Sequence, residues 1–285
     1  MTHFRRGRVF RLSSDKLRSA MRPEALMMET TRVAVVIVGC LLWTSVLWHL
    51  WPPLFSPFSL NSLWEAKGAV MDWLKAGLPV LMWGAGFTAL VAAFTRNSAE
   101  DNRDAGGFLI SGWYVSLLAG VTEEIRFRWL FFMLSIASVK ITNFILGGFV
   151  GYLMGPERVT WLRGIMWAPV SDLLTGGILK WFYLYLIGPV FNVITMGTLS
   201  QWLVNPEIWA VGLALLTING KFRDGHAYQG FLGLLNSWVL GFHFYWLTLT
   251  WGLPAAIVVH VLYDGIIFSI QSFDRLVERL TRGGR

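Results

Sequence analysis

Between Gly120 and Leu134 an apolar run is interrupted by Thr122-Glu123-Glu124-Ile125-Arg126-Phe127-Arg128, which sets four ionised side chains where lipid-facing or core helix would otherwise continue. At a bilayer centre each unpaired Asp, Lys or Arg costs about 2.5–3.5 kcal/mol. Glu is comparable, so four isolated charges would cost on the order of 10 kcal/mol. Such residues are tolerable only when they face a cavity or one another. Three pairs then stand out, each four residues apart and therefore on one face of a helix: Glu124 with Arg128, Phe222 with His226, and His260 with Asp264. Glu124 and Arg128 can pair as a salt bridge, leaving Glu123 on an adjacent face for other work. His260 falls inside an apolar helix, and a carboxylate one turn onward would orient its imidazole and select a tautomer. A carboxylate and two imidazoles suit general acid–base chemistry on water. The same Glu123, His226 and His260 would also supply three zinc ligands with an open position. The competing structural reading is an ion-pair cluster between helices for Glu123, Glu124, Arg126 and Arg128, a loop role for His226 and a core hydrogen bond for His260. Arg126 reads as structural or interfacial, His243 as packing, and His49 as interfacial.

The elements that must position these residues are membrane helices. Charged residues are 14% of the 285 and hydrophobic ones 55%, with a mean hydropathy of +0.53, a balance rare in a soluble domain of this length. Sixteen tryptophans suit two interfacial belts. Apolar runs predict spans at 33–51, 76–94, 181–203, 228–250 and 253–271. Residues 108–138 form one long tilted helix or, as favoured here, two pieces broken near Gly120 with Thr122 as N-cap of the second. Residues 141–155 form a short span with Gly147, Gly151 and Gly155 as a packing face. Residues 208–220 form another, ended by the turn signal Asn219-Gly220. The expected fold class is an all-α polytopic membrane helix bundle of about eight transmembrane helices around a buried polar cavity. Residues 52–75 and 156–180 read as interfacial connections, and no internal repeat or second soluble domain is evident.

Residues 1–30 form a basic tail with Arg5, Arg6, Arg8, Arg11, Lys16, Arg18 and Arg22, and residues 273–285 a second with Arg275, Arg279, Arg282 and Arg285. Positive charge marks the cytoplasmic side, so both termini are expected there, as an even number of spans requires. That orientation accounts for the basic tail without nucleic acid, which is not an expected partner. No cleavable signal peptide is read, so the first span is an uncleaved anchor. Cys40 is the only cysteine, which excludes an intramolecular disulfide and an all-thiolate metal site.

Glu123-Glu124-Ile125-Arg126-Phe127-Arg128 fits E-E-x-x-x-R, Phe222 to His226 fits F-x-x-x-H, and His260 to Asp264 fits H-x-x-x-N/D. In that order, on separate membrane segments, they resemble the three motifs of the CPBP family, the CAAX protease and bacteriocin-processing enzymes also called Abi proteins. The resemblance covers about residues 112–268. It implies an intramembrane endopeptidase of eight helices with a cavity open to the cytoplasm, in which Glu123 is the general base, His226 its partner on the water, and His260 with Asp264 the oxyanion side. Glu124, Arg128 and Phe222 become supporting residues. The implied substrate is a peptide or protein with a membrane-associated or lipidated segment, with no cofactor in the glutamic mechanism and zinc in its rival.

Two features depart from the family pattern. The stretch from Trp129 to Lys221 is long, and motif two is polar at Arg223 and Asp224, with Gly225 loosening the helix and setting His226 at a helix start. An ionised Asp264 would repel an oxyanion, so it is expected to orient His260 or to carry a proton. Two other classes compete with the protease: a non-catalytic scaffold or immunity protein of the same fold, and a proton-relaying transporter, against which the lack of inverted repeats argues.

Overall fold

A computed structural model describes residues 23–95, 105–154, 178–227 and 230–283, and every regular element among them is helical. The long helices are α1 (Pro23–Leu50), α2 (Val70–Thr95), α3 (Ala105–Glu123) and α4 (Phe132–Met154). Short helices α5 (Ile178–Phe182), α6 (Gly188–Ile194) and α7 (Ser200–Leu203) follow. The chain then forms α8 (Trp209–Gly225), α9 (Gly230–Trp251) and α10 (Leu253–Gly283). Two helical stretches, Leu109–Leu146 and Leu253–Val277, are long and apolar enough to cross a membrane. The molecule is thus an all-α bundle with apolar helices of membrane-crossing length.

The expected break near Gly120 is absent. Helix continues from α3 into α4 through a π-helical segment, Glu124–Phe131, and α4 runs on to Met154, so the short span expected at 141–155 is the end of the same helix. Thr122 is no N-cap; its hydroxyl donates back to the Leu118 carbonyl at 2.7 Å, as mid-helix threonines do. Gly120 serves close approach instead: a Cβ there would lie 2.6 Å from Val261 Cγ2 and 3.0 Å from the Val261 backbone nitrogen. Gly112, facing Phe268, repeats the device two turns earlier, and Gly77 and Gly84 do the same from α2 against Val259 and Tyr263. Helix α10 is therefore held between α2 and α3 at small-residue contacts. The Gly147, Gly151 and Gly155 face lies outside what is described at side-chain level, as does the connection at 155–177.

Other boundaries move as well. The span expected over 181–203 is interrupted after Ile194, where Met196 and Gly197 take positive φ. The turn signal Asn219-Gly220 is overridden, because the Asn219 amide donates to the Trp238 carbonyl at 3.0 Å on α9 and α8 runs on to Gly225. Residues 52–75 are more than an interfacial strap. Leu54, Phe55 and Leu63 are buried, and Lys140 on α4 donates to the Pro53 and Ser56 carbonyls at 2.9 and 3.0 Å. Trp129 adds a bond to the Leu60 carbonyl at 2.7 Å. Residues 273–283, expected as tail, continue α10.

A hairpin joins α9 to α10 through Gly252 alone. Its φ of +94° suits glycine, and a Cβ there would collide with the Glu65 carbonyl oxygen.

Candidate functional site

The charged island coincides with the π-helical segment. Such wide turns disturb the regular ladder and recur at functional sites. Here the Tyr245 hydroxyl, reaching across from α9, donates to the Phe127 carbonyl at 3.1 Å.

At the centre of the site is Glu124, fully buried. Its Oε1 accepts from Nδ1 of His260 at 2.7 Å, and its Oε2 lies 3.4 Å from Nε of Arg128. The expected Glu124–Arg128 pair is present, but the carboxylate has a second task that the motif spacing did not reveal. Two buried charges out of water are costly unless their attraction and hydrogen bonds compensate. The Arg128 guanidinium gains a further partner in the Phe222 ring, whose centroid is 3.8 Å from its Cζ, with Phe244 and Tyr245 each at 5.5 Å. Stacking on an aromatic face is a use of Arg that Lys cannot reproduce.

Phe222 also explains its own place in the motif. Its ring centroid is 4.7 Å from that of His226 and 6.4 Å from that of His260, so one ring separates and supports both imidazoles. Phe244 stacks on His260 at 4.5 Å and 15°. His226 is found at the C-terminal cap of α8 and not at a helix start. Its Nδ1 lies 2.8 Å from the Phe222 carbonyl, which turns Nε2 toward Glu123. That nitrogen is 4.0 Å from Glu123 Oε2, beyond a direct hydrogen bond but a span that one shared water can bridge.

Asp264 stands 3.6 Å from Nε2 of His260, too far to be the residue that fixes the ring. Glu124 fixes it instead. Asp264 lies within electrostatic reach of Glu123 and His226 as well as His260, so residues from three distant parts of the chain form one cluster.

Exposure is graded across this cluster. The side chains of Glu124 and Arg128 are 0% exposed, that of His260 6% and that of Asp264 26%, and those of His226 and Glu123 19% and 30%. The dry end is the ion pair; the other end carries the partly exposed side chains of Glu123, His226 and Asp264, with Glu123 Oε2 itself buried and without a hydrogen-bond partner. Arg126 is apart from the cluster, its guanidinium resting near the Phe127 and Phe131 rings at 5.2 and 5.3 Å. His243 packs on Trp246, with ring centroids 5.3 Å apart, and His49 is exposed, its Nδ1 2.8 Å from the Ser45 carbonyl.

Among the described residues no three His, Cys, Asp or Glu side chains converge as a metal site would require. In the zinc set named above, the Nδ1 of His260 is occupied by Glu124 and its Nε2 faces Asp264.

No family model matches the chain, no curated protein matches it, and no solved structure matches it.

Proposed function

We propose that this chain is a polytopic intramembrane endopeptidase of the CPBP type, hydrolysing a peptide bond in a membrane-associated or lipidated protein by water held between Glu123 and His226. The observation that carries this reading is the meeting of three motifs spread over more than a hundred residues: His226 Nε2 at 4.0 Å from Glu123 Oε2, beside His260 and Asp264. A purely structural ion cluster needs Glu124 and Arg128 but gives no reason for partly exposed Glu123, His226 and Asp264 to gather at its open end.

In this reading Glu123 takes a proton from the water as the hydroxyl oxygen attacks the scissile carbonyl. His226 holds that water through Nε2. The oxyanion that forms lies on the His260 side of the site and is stabilised by Asp264 acting as a protonated donor, and the proton on Glu123 passes to the leaving amine. Glu124 and Arg128 support His260, and no covalent intermediate is required.

Depth supports the same reading. His260 lies eight residues beyond the Gly252 hairpin, about 12 Å along α10, and Asp264 about 18 Å, within a hydrocarbon core about 30 Å thick. Helices α1, α2 and α9, of 28, 26 and 22 residues, are also long enough to cross such a core, which supports more than two spans; the full count of about eight and the cytoplasmic termini belong to the proposal.

The test is proteolysis by purified protein in liposomes. Activity should survive exhaustive chelation and vanish in Glu123→Ala with folding and insertion intact. Stoichiometric zinc whose removal and return tracks activity would establish the metal version. An intact phenotype in Glu123→Ala would favour the scaffold, and proton-coupled flux would favour a transporter.

A further inference from the structure

The last three turns of α10 carry a pattern that the site does not use. Helix α10 has 31 residues, about 46 Å at 1.5 Å per residue, against a hydrocarbon core of about 30 Å. Its start is pinned by the one-residue hairpin at Gly252, beside exposed Glu65 and Lys67, with Lys67 N–H donating to the Trp251 carbonyl at 3.0 Å. A reversal of that kind, next to exposed charges, marks one boundary of the core. The surplus of about 16 Å, roughly eleven residues, therefore falls wholly at the C-terminal end, from about Phe273 onward.

On that surplus Phe273, Leu276 and Leu280 share one face by the helical period and are 67%, 42% and 69% exposed. Arg275, Arg279 and Arg282 share a second face, and Asp274 and Glu278 fall together on the remaining arc. An exposed apolar stripe on a helix end whose sequence places three arginines at one register, at the level where a membrane helix leaves the core, has the form of an interfacial segment.

We propose that residues 273–283 dock onto the anionic phospholipid headgroups of the leaflet in which α10 ends. The stripe of Phe273, Leu276 and Leu280 enters the acyl boundary, and the basic sequence of this segment supplies the charge that favours an anionic surface. The choice of an anionic leaflet, and not a second copy of the chain, rests on charge complementarity and on continuity with a membrane-crossing helix. This inference depends on the membrane reading but not on proteolysis.

The unique Cys40 makes the test direct. On a Cys40→Ala background, single cysteines at Leu280 and, as a control inside the span Leu109–Leu146, at Leu117 carry an environment-sensitive fluorophore. The full chain is placed in vesicles of phosphatidylcholine alone or with about 30 mol% phosphatidylglycerol, each with a lipid quencher near the headgroup. Quenching at Leu280 should be at least threefold stronger with the anionic lipid, and should fall to the neutral-lipid level at high salt or in the triple variant Arg275→Gln, Arg279→Gln, Arg282→Gln. Equal quenching in both vesicles, or disulfide cross-linking between copies at Leu280, overturns the proposal. A water-exposed emission spectrum at Leu117 would instead overturn the membrane reading itself.

Discussion

The Nδ1 of His260 sits 2.7 Å from Oε1 of Glu124, a carboxylate 136 residues earlier in the chain. That bond places the ring hydrogen on Nδ1 and commits Nε2 to the accessible side of the site. Glu124→Gln should therefore lose at least tenfold in cleavage rate while Glu123 remains in place. Its signature separates orientation from folding: ¹⁵N NMR of histidine-labelled protein should show His260 protonated at Nδ1 in the parent and a mixed population in the variant. An unchanged His260 spectrum would refute the assignment.

Asp264 makes no hydrogen bond to the imidazole at 3.6 Å, and an ionised carboxylate would oppose an oxyanion. Asp264→Asn should accordingly keep activity within about tenfold of the parent, whereas Asp264→Ala loses two orders of magnitude or more, the scale of a lost oxyanion donor. Measured kcat/KM for the two variants decides this; equal losses would show that the charge of Asp264, and not its capacity to donate, is what matters.

Phe222 supports Arg128 and separates two histidines. Replacing it with Ala should destabilise the protein by about 3–5 kcal/mol through the lost volume. Phe222→Leu restores most of the volume but not the π face, and should still cost about 1–2 kcal/mol because a desolvated guanidinium loses its stacking partner. Unfolding in detergent by graded denaturant measures both, and full stability in the Leu variant would contradict the stacking role.

Gly120 and Gly39 offer a matched contrast. A methyl at Gly120 meets Val261, while one at Gly39 meets nothing within 4 Å. Gly120→Ala should lose about 1–3 kcal/mol and weaken activity by moving α3 from the helix that carries His260. Gly39→Ala should be neutral or slightly stabilising. Comparable Tm shifts in the two would show that the close crossing at Gly120 carries no weight.

Much of this site could be read before folding because its spacings are local. A separation of four residues puts Phe222 with His226, and His260 with Asp264, on one helix face whatever surrounds them. The bond from Glu124 to His260 joins helices far apart in sequence, so no periodicity announces it. Gly120 was ambiguous for a physical reason: the missing Cβ that lets a helix break also lets two helices touch, and only the neighbour, Val261, decides. Asn219-Gly220 has turn chemistry, yet the Trp238 carbonyl on α9 gave the Asn219 amide a better partner and the helix continued. The all-α class followed from composition and long apolar runs, whereas the wide turns over Glu124–Phe131 coincide with a contact from another helix, Tyr245 to Phe127, that no local pattern announces.

The central claim is that Glu123 and His226 deliver water to a peptide bond. Its most direct measurement is cleavage in ¹⁸O-labelled water: membranes containing the protein are incubated, and new peptide termini are mapped by mass spectrometry beside Glu123→Ala and His226→Ala controls. One heavy oxygen should enter the new carboxyl terminus of each product, and those products should be missing from both variants. The same set of termini in parent and Glu123→Ala membranes would contradict the account.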